Sequence, residues 1–250
     1  MDHKEKPSVD AFNRDIVTHA GYLYTTNARL SSYMANRRLT DATLAIADFR
    51  GKRVLDIGCG DGTYTLELFD RGQPSSIHGV DPAHEAIRIA EQKIGGRQIS
   101  FEVHSAYALP HEDDSFDIAY LRGVLHHMDR PVDALREALR VAPMLVVIEP
   151  NGYSPILKLF ERFSRYHIEH NEKSYTPATL DQWINRMGSK VHLRRYAGLV
   201  PMFCPDWLAR VLKWIEPVVE GLPLINAWGC AVCVFVVRRA DGESGNPRLK

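Results

Sequence analysis

Two short runs concentrate the residues whose types and spacing could do chemistry. The first reads Val54-Leu55-Asp56-Ile57-Gly58-Cys59-Gly60-Asp61-Gly62. Glycines let the backbone pass close to a ligand where a Cβ would collide with it. The spacing is G-x-G-x-G rather than the G-x-G-x-x-G of dinucleotide sites, and acidic Asp56 stands just before the first glycine. A pyrophosphate is repelled by a neighbouring carboxylate, whereas a ligand carrying positive groups tolerates it. That disfavours a nicotinamide-dependent dehydrogenase. The second run is Gly79-Val80-Asp81-Pro82. An acid ending a strand in this register can accept hydrogen bonds from both hydroxyls of a ribose. With Pro82 beside it, Asp81 could also cap a helix, and the two roles are compatible.

Other groups could act on a substrate. Leu125-His126-His127-Met128-Asp129 offers two imidazoles, and a neutral imidazole near pH 7 can accept a proton from a hydroxyl. The alternative is that both histidines only brace a turn. Glu149, in Glu149-Pro150-Asn151-Gly152-Tyr153-Ser154-Pro155, could orient an acceptor or be an ordinary strand-end carboxylate. Tyr166-His167-Ile168-Glu169-His170-Asn171-Glu172 is rich in metal-ligating types, but it reads better as a polar loop, and no metal is assigned. Cys230 and Cys233 form a C-x-x-C without the second pair that zinc would want, and are expected to be buried small hydrophobes.

The elements that must position these groups follow from periodicity. Short apolar runs at 53–57, 76–80, 99–103, 116–121 and 144–148 read as strands, and the stretches 63–69, 83–94 and 131–141 between them read as helices. Asp129 is a plausible cap for the last of these, with Pro131 in its first turn. This βαβ alternation predicts an α/β fold with a mostly parallel sheet and helices on both faces. Later strands are expected over 190–199 and 230–239, and a helix starting at Thr176-Pro177. The expected organisation is an N-terminal helical lid (1–50), a ligand-binding core (51–150), a helical insertion over the substrate site (151–189), C-terminal strands (190–240) with a helical insertion (200–229), and a flexible tail (241–250).

With those residues in view, the chain resembles the class I S-adenosylmethionine-dependent methyltransferases, in particular the bacterial group with the signature V-L-D-x-G-C-G-x-G. The resemblance covers residues 50–150. It implies a Rossmann-like fold with a seven-stranded sheet and S-adenosylmethionine as cofactor. Asp56 and the turn Gly58-Cys59-Gly60 would line the methionine part, and Asp81 with Pro82 the ribose. His104-Ser105-Ala106-Tyr107-Ala108-Leu109-Pro110 stands where relatives read G-D-A-x-x-L-P, so Ser105 replaces the acid that usually meets the adenine amino group. Ser105 and the backbone of Ala106 would then make that contact, and Tyr107 either stacks on the base or simply packs. Asp113-Asp114-Ser115-Phe116-Asp117 followed by Leu125-His126-His127 matches the family's D-x-S-F-D strand and L-x-H turn. Leu121 and Arg122, at that strand's carboxyl end, would skirt the cofactor. The second histidine of the pair is nearly invariant in the family, which makes His127 mainly structural and His126 the better catalytic candidate.

The implied reaction is in-line methyl transfer to a small acceptor, with O- or N-methylation expected. Aromatics outside the core (Tyr22, Tyr24, Tyr153, Tyr175, Phe203, Trp207, Trp214) suggest an apolar or planar acceptor, and the alternative, which holds for most of them, is that they pack the lid helices. With 31 basic and 31 acidic residues the formal net charge is zero, so no global positive field points to nucleic acid. Nor does an N-P-P-Y-type tetrapeptide follow the fourth strand. A cofactor-binding protein without turnover is the alternative from another class. The N-terminus lacks an apolar signal region and no run is long enough to span a bilayer, so a cytoplasmic protein is expected. Residues 206–220 carry Trp207, Leu208, Val211, Leu212, Trp214 and Ile215 on a broad apolar face. That face could rest at a membrane interface and admit a lipid-linked acceptor.

Overall fold

The computed structural model describes residues 29–155, 157–159, 174–202 and 204–239. In chain order the elements are α1 (Leu30–Leu44), β1 (Arg53–Ile57), α2 (Thr63–Gly72), β2 (Ser76–Asp81), α3 (His84–Gln92), β3 (Ile99–Val103), β4 (Ile118–Arg122) and a 3-10 turn (Leu125–His127). They continue with α4 (Pro131–Val141), β5 (Met144–Pro150), α5 (Pro177–Arg186), β6 (Ser189–Ala197), α6 (Asp206–Gly221), α7 (Ile225–Gly229) and β7 (Val232–Arg239). The strands form one seven-stranded sheet in the order β3-β2-β1-β4-β5-β7-β6. β1 to β5 pair in parallel, and β7 runs antiparallel to both β5 and β6.

Side chains alternate across each strand, so neighbouring residues feed opposite faces. Leu55, Ile57 and Leu121 pack under Leu135 and Leu139 of α4 and Ile184 of α5. Val54 and Tyr120 pack on the other face with Leu39 of α1, Leu68 of α2 and Ile87 of α3. The inner strands β4 and β5 are covered on both faces and read as near-continuous apolar runs, whereas β3, at the sheet edge, alternates and exposes Ser100 and Glu102. The strand order reverses between β1 and β4, and open α/β sheets place ligands outside the carboxyl ends of the strands at such a point.

Several boundaries differ from the sequence expectation. β4 starts at Ile118 because the main chain of Phe116 is bound to Val141 O and the Asp117 carboxylate accepts the Arg53 amide. Asp129 is not the cap of α4: the cap position is Arg130, without a side-chain cap bond, and Pro131 opens the helix at a position that lacks an N–H anyway. Thr176 does cap α5, accepting the Thr179 amide at 3.1 Å. β6 ends at Ala197, before Gly198 turns to a φ of 80°. Cys230 and Cys233 are buried in the apolar interior as unpaired thiols. Residues 1–28 of the expected N-terminal lid, with Tyr22 and Tyr24, the Tyr166–Glu172 cluster, Phe203 and the tail 241–250 lie outside the described residues.

Candidate active site

The glycine turn leaves β1 and is bound to β2. The Gly58 and Cys59 amides donate to Val80 O at 2.8 and 3.2 Å. Gly58 sits at φ 76°, and a Cβ there would come within 2.6 Å of the Val124 side chain. Only glycine combines that conformation with that contact. Val124 opens the histidine turn, so the glycine turn and the histidine turn touch. The Cys59 thiol is buried, and burial holds it protonated.

Two carboxylates flank the turn. Asp81 is nearly buried, and its two oxygens accept the Gly60 amide (3.0 Å) and the Ala83 amide (2.8 Å). Burial raises its pKa to about 6 against the pull of those two bonds. Asp56 accepts the Thr65 hydroxyl at 2.6 Å, and burial raises it to about 7, opposed by that bond and by the nearby Arg122 charge. The site therefore holds two acids partly neutralised by their surroundings, a state that a positively charged ligand would reverse. Pro82 follows Asp81 and leads into α3.

The histidine turn hangs on Glu149. One oxygen of this carboxylate accepts the amides of Val124 (2.9 Å) and Leu125 (2.8 Å), and the other lies 2.9 Å from His126 Nδ1. The Glu149 side chain is fully buried and that of His126 is 9% exposed. An ionised carboxylate only accepts, so Nδ1 carries the proton and the imidazole lone pair falls on Nε2. The His127 ring lies 3.9 Å from the His126 ring, tilted by 42°.

The remaining sequence candidates take varied places. Leu121 is completely buried under α4, which leaves its main chain alone to face a ligand. Arg122 turns to α1: its guanidinium donates to Thr40 Oγ1 (2.8 Å) and Asn36 O (3.0 Å), and lies 3.8 Å over the Tyr64 ring. Ser105 Oγ accepts the Tyr107 amide at 3.3 Å, and Ala106 is buried. Tyr107 packs with the Arg130 guanidinium 4.4 Å over its ring. Asn151 was not singled out from sequence. It is fully buried and donates to Ala227 O and Cys230 O, fixing the end of β5 to α7. Its only signal was its place in the Glu-Pro-Asn-Gly run. Trp207 and Trp214, expected over the substrate, point to solvent at 67% and 82% exposure.

This sheet, with its glycine turn after β1 and its acid at the end of β2, has the class I methyltransferase fold. Residues 55–143 match the family model described as a methyltransferase domain. The chain is similar to the ubiquinone/menaquinone biosynthesis C-methyltransferase of Geobacter sulfurreducens, with 31% identity over 169 residues, 62% of this chain and 63% of that one. It also matches a tRNA U34 carboxymethyltransferase of Desulfotalea psychrophila, 27% identical over 97 residues, 38% of this chain and 30% of that one. The chain thus spans less than two thirds of the length of these curated relatives. Among solved structures, a possible histamine N-methyltransferase of Thermotoga maritima superposes with a TM-score of 0.65 at 20% identity, covering 92% of this chain and 95% of that one, a likeness of fold. Residues 55–143 thus match a methyltransferase domain, set in a fold shared with S-adenosylmethionine-dependent methyltransferases.

The residues present fit that cofactor. A carboxylate has room for about four hydrogen bonds. Asp81 spends two on backbone amides, which leaves capacity for two hydroxyls. Asp56 and Asp81 together supply the negative complement for a ligand carrying an ammonium and a sulfonium. Gly58 and Gly60, both at positive φ, turn the main chain back against β2, where the Gly60 amide meets Asp81 beside the ligand position.

Proposed function

We propose that this protein methylates a small apolar or planar acceptor at oxygen or nitrogen, with His126 as the base and Glu149 as its positioning residue. The observation that carries this reading is the buried Glu149–His126 pair, held against the glycine turn through Val124. When bound, S-adenosylmethionine supplies an electrophilic methyl group on a good leaving group. The chain then has to align the acceptor, exclude water and take up one proton. Glu149 fixes the ring orientation and tautomer, so that Nε2 is the nitrogen able to receive the acceptor's proton. An amine that arrives deprotonated needs only the alignment.

The acceptor class rests on charge and on aromatic surface. The formal net charge is zero, and Arg38, Arg71, Arg97, Arg140, Arg194 and Arg239 are each paired with a carboxylate rather than arrayed for phosphates. Tyr153, just past β5, lies 5.9 Å from Trp228, and Tyr175 lies 4.7 Å from Trp183. These rings suit a planar or hydrocarbon-rich molecule better than a polar one. α1, tied down by Arg122, would form one wall of the crevice.

Calorimetric titration with S-adenosylmethionine and with its demethylated product, with NAD as control, tests the cofactor. Micromolar binding of the first two alone is the expected result, and binding of NAD alone overturns the reading. Methyl-labelled cofactor incubated with cell-extract fractions then tests turnover. The expected result is label in a solvent-extractable product, and its disappearance with His126→Ala while cofactor binding persists. Label that enters only RNA, or no product at all, overturns the acceptor class.

A further inference from the structure

Helix α6 exposes an apolar face while it buries a carboxylate. Residues at positions 207, 211, 214 and 218 recur along one helical face, and they are Trp207, Val211, Trp214 and Val218, all exposed. On the opposite side Glu216 is 2% exposed and accepts the Leu199 amide at 3.0 Å. Glu220 accepts the Gly198 amide at 2.9 Å and pairs with Arg38. The helix is thus fastened to the body through its carboxylates and through Leu208, Ala209 and Leu212, which pack with Val200 and Cys204, and it presents its tryptophans outward. The segment after it continues the surface: Leu222, Leu224, Ile225 and Trp228 are exposed, Leu224 at 80%. Leu224 holds a positive φ of 71°, a strained conformation for a residue with a branched side chain. Three of the four tryptophans of the chain lie on this one surface.

We propose that the α6–α7 surface docks on an anionic phospholipid bilayer. Three features favour lipid over a protein partner. Within 205–228 the exposed charged residues are Asp206 and Arg210 alone, so the face lacks the polar rim and hydrogen-bonding groups that give a protein interface its register. Indole rings combine an apolar body with one N–H donor, which suits the depth of lipid headgroups. Arg210 lies on α6 one turn from Trp207 and Trp214, where its guanidinium is placed to meet lipid phosphate. The face is also continuous with the candidate active site. Trp228 packs on Tyr153, and Asn151 bonds to Ala227 and Cys230 immediately beyond Glu149. Resting on the proposed methyl transfer, the docked orientation would bring the rim of the crevice to the bilayer, from which a lipid-dissolved acceptor can enter.

The full chain is sedimented with phosphatidylcholine vesicles, with and without phosphatidylglycerol, and its tryptophan emission is recorded. Co-sedimentation that strengthens with phosphatidylglycerol, and an emission shift to the blue, are expected. Trp214→Glu should lower vesicle partition by about tenfold or more, because binding scales with the apolar area inserted. Arg210→Gln should remove most of the phosphatidylglycerol dependence. Titration with the demethylated cofactor product, unchanged in both variants, confirms that they fold. Protein that stays in the supernatant with unshifted emission overturns the proposal. So does a concentration-dependent dimer abolished by Trp214→Glu, which would make this face a contact between two copies. Vesicle binding and cofactor binding are read separately, so the failure of either leaves the other standing.

Discussion

At the scale of single residues, the site is governed by what burial does to acids. Asp81 would titrate near 3.8 in the unfolded chain and does so at about 6 in the fold, and Asp56 is raised further, to about 7. Ligand hydroxyls and cationic groups favour the ionised carboxylates, so a proton on either acid competes with the ligand. Affinity for the demethylated cofactor product should therefore rise with pH and level off above neutrality. From the Asp81 proton alone it should be roughly fourfold weaker at pH 5.5 than at pH 7.5. Without ligand the sign reverses. The folded chain holds protons that the unfolded chain has released, so stability falls as pH climbs from about 4 toward 7. Calorimetry in buffers of different ionisation enthalpy checks the first statement through proton release on binding, and a pH-independent affinity would refute it. The acids themselves were legible from sequence by type and position. Their partners were less so. Thr65 is nine residues from Asp56 and unremarkable in type, and only the helix after the turn brings its hydroxyl to the carboxylate. Glu149 and His126 were each legible as candidates, but their pairing depends on β4 and β5 lying side by side.

At the scale of elements, the first five strands were legible from short apolar runs at the covered centre of the sheet and from alternation at its β3 edge, with glycine turns punctuating them. Contacts made across the fold were not. Asp129 looked like a helix cap by local rules, yet the chain enters α4 one residue later with no side-chain cap bond. Arg122 looked like a crevice residue, and α1 recruits it as a tie through Thr40 and Asn36, residues far away in sequence. The join between β5 and α5 shows the same dependence on distant partners. Gly152 donates to Tyr175 O, and a Cβ on it would lie 2.6 Å from Tyr175 main-chain atoms. Main chain cannot swing aside as a flexible side chain can. Gly152→Ala should therefore destabilise the fold by about 2 kcal/mol or more, and it should loosen Tyr153 against Trp228. Urea unfolding checks the first effect, and tryptophan emission the second. A variant as stable as the parent would mean that this join yields more easily than its packing implies.

At the scale of the whole molecule, α6 departs from the usual division between core and surface by burying Glu216 and exposing Trp207 and Trp214. Its sequence announces amphipathicity but not direction, because the direction is set by partners elsewhere in the chain: Arg38 on α1, the amides of Gly198 and Leu199 after β6, and Val200, against which Leu208 and Leu212 pack. Buried carboxylates with hydrogen-bonded partners are tolerated, and an apolar face left in water is disfavoured unless something covers it. The loop between α6 and α7 adds backbone strain to that exposed surface. A leucine at positive φ costs about 1–3 kcal/mol, and glycine adopts the same geometry without a Cβ clash. Leu224→Gly should then stabilise the free protein by about 1 kcal/mol once glycine's greater unfolded-state entropy is subtracted. If the surface serves a bilayer, the same substitution should also weaken vesicle partition, since it removes an inserting side chain. Thermal or urea unfolding without lipid, set beside sedimentation with vesicles, separates the two effects. A gain in stability with a loss of membrane binding would show strain retained for docking. A gain in stability with undiminished partition would place the membrane contact on the tryptophans of α6 alone.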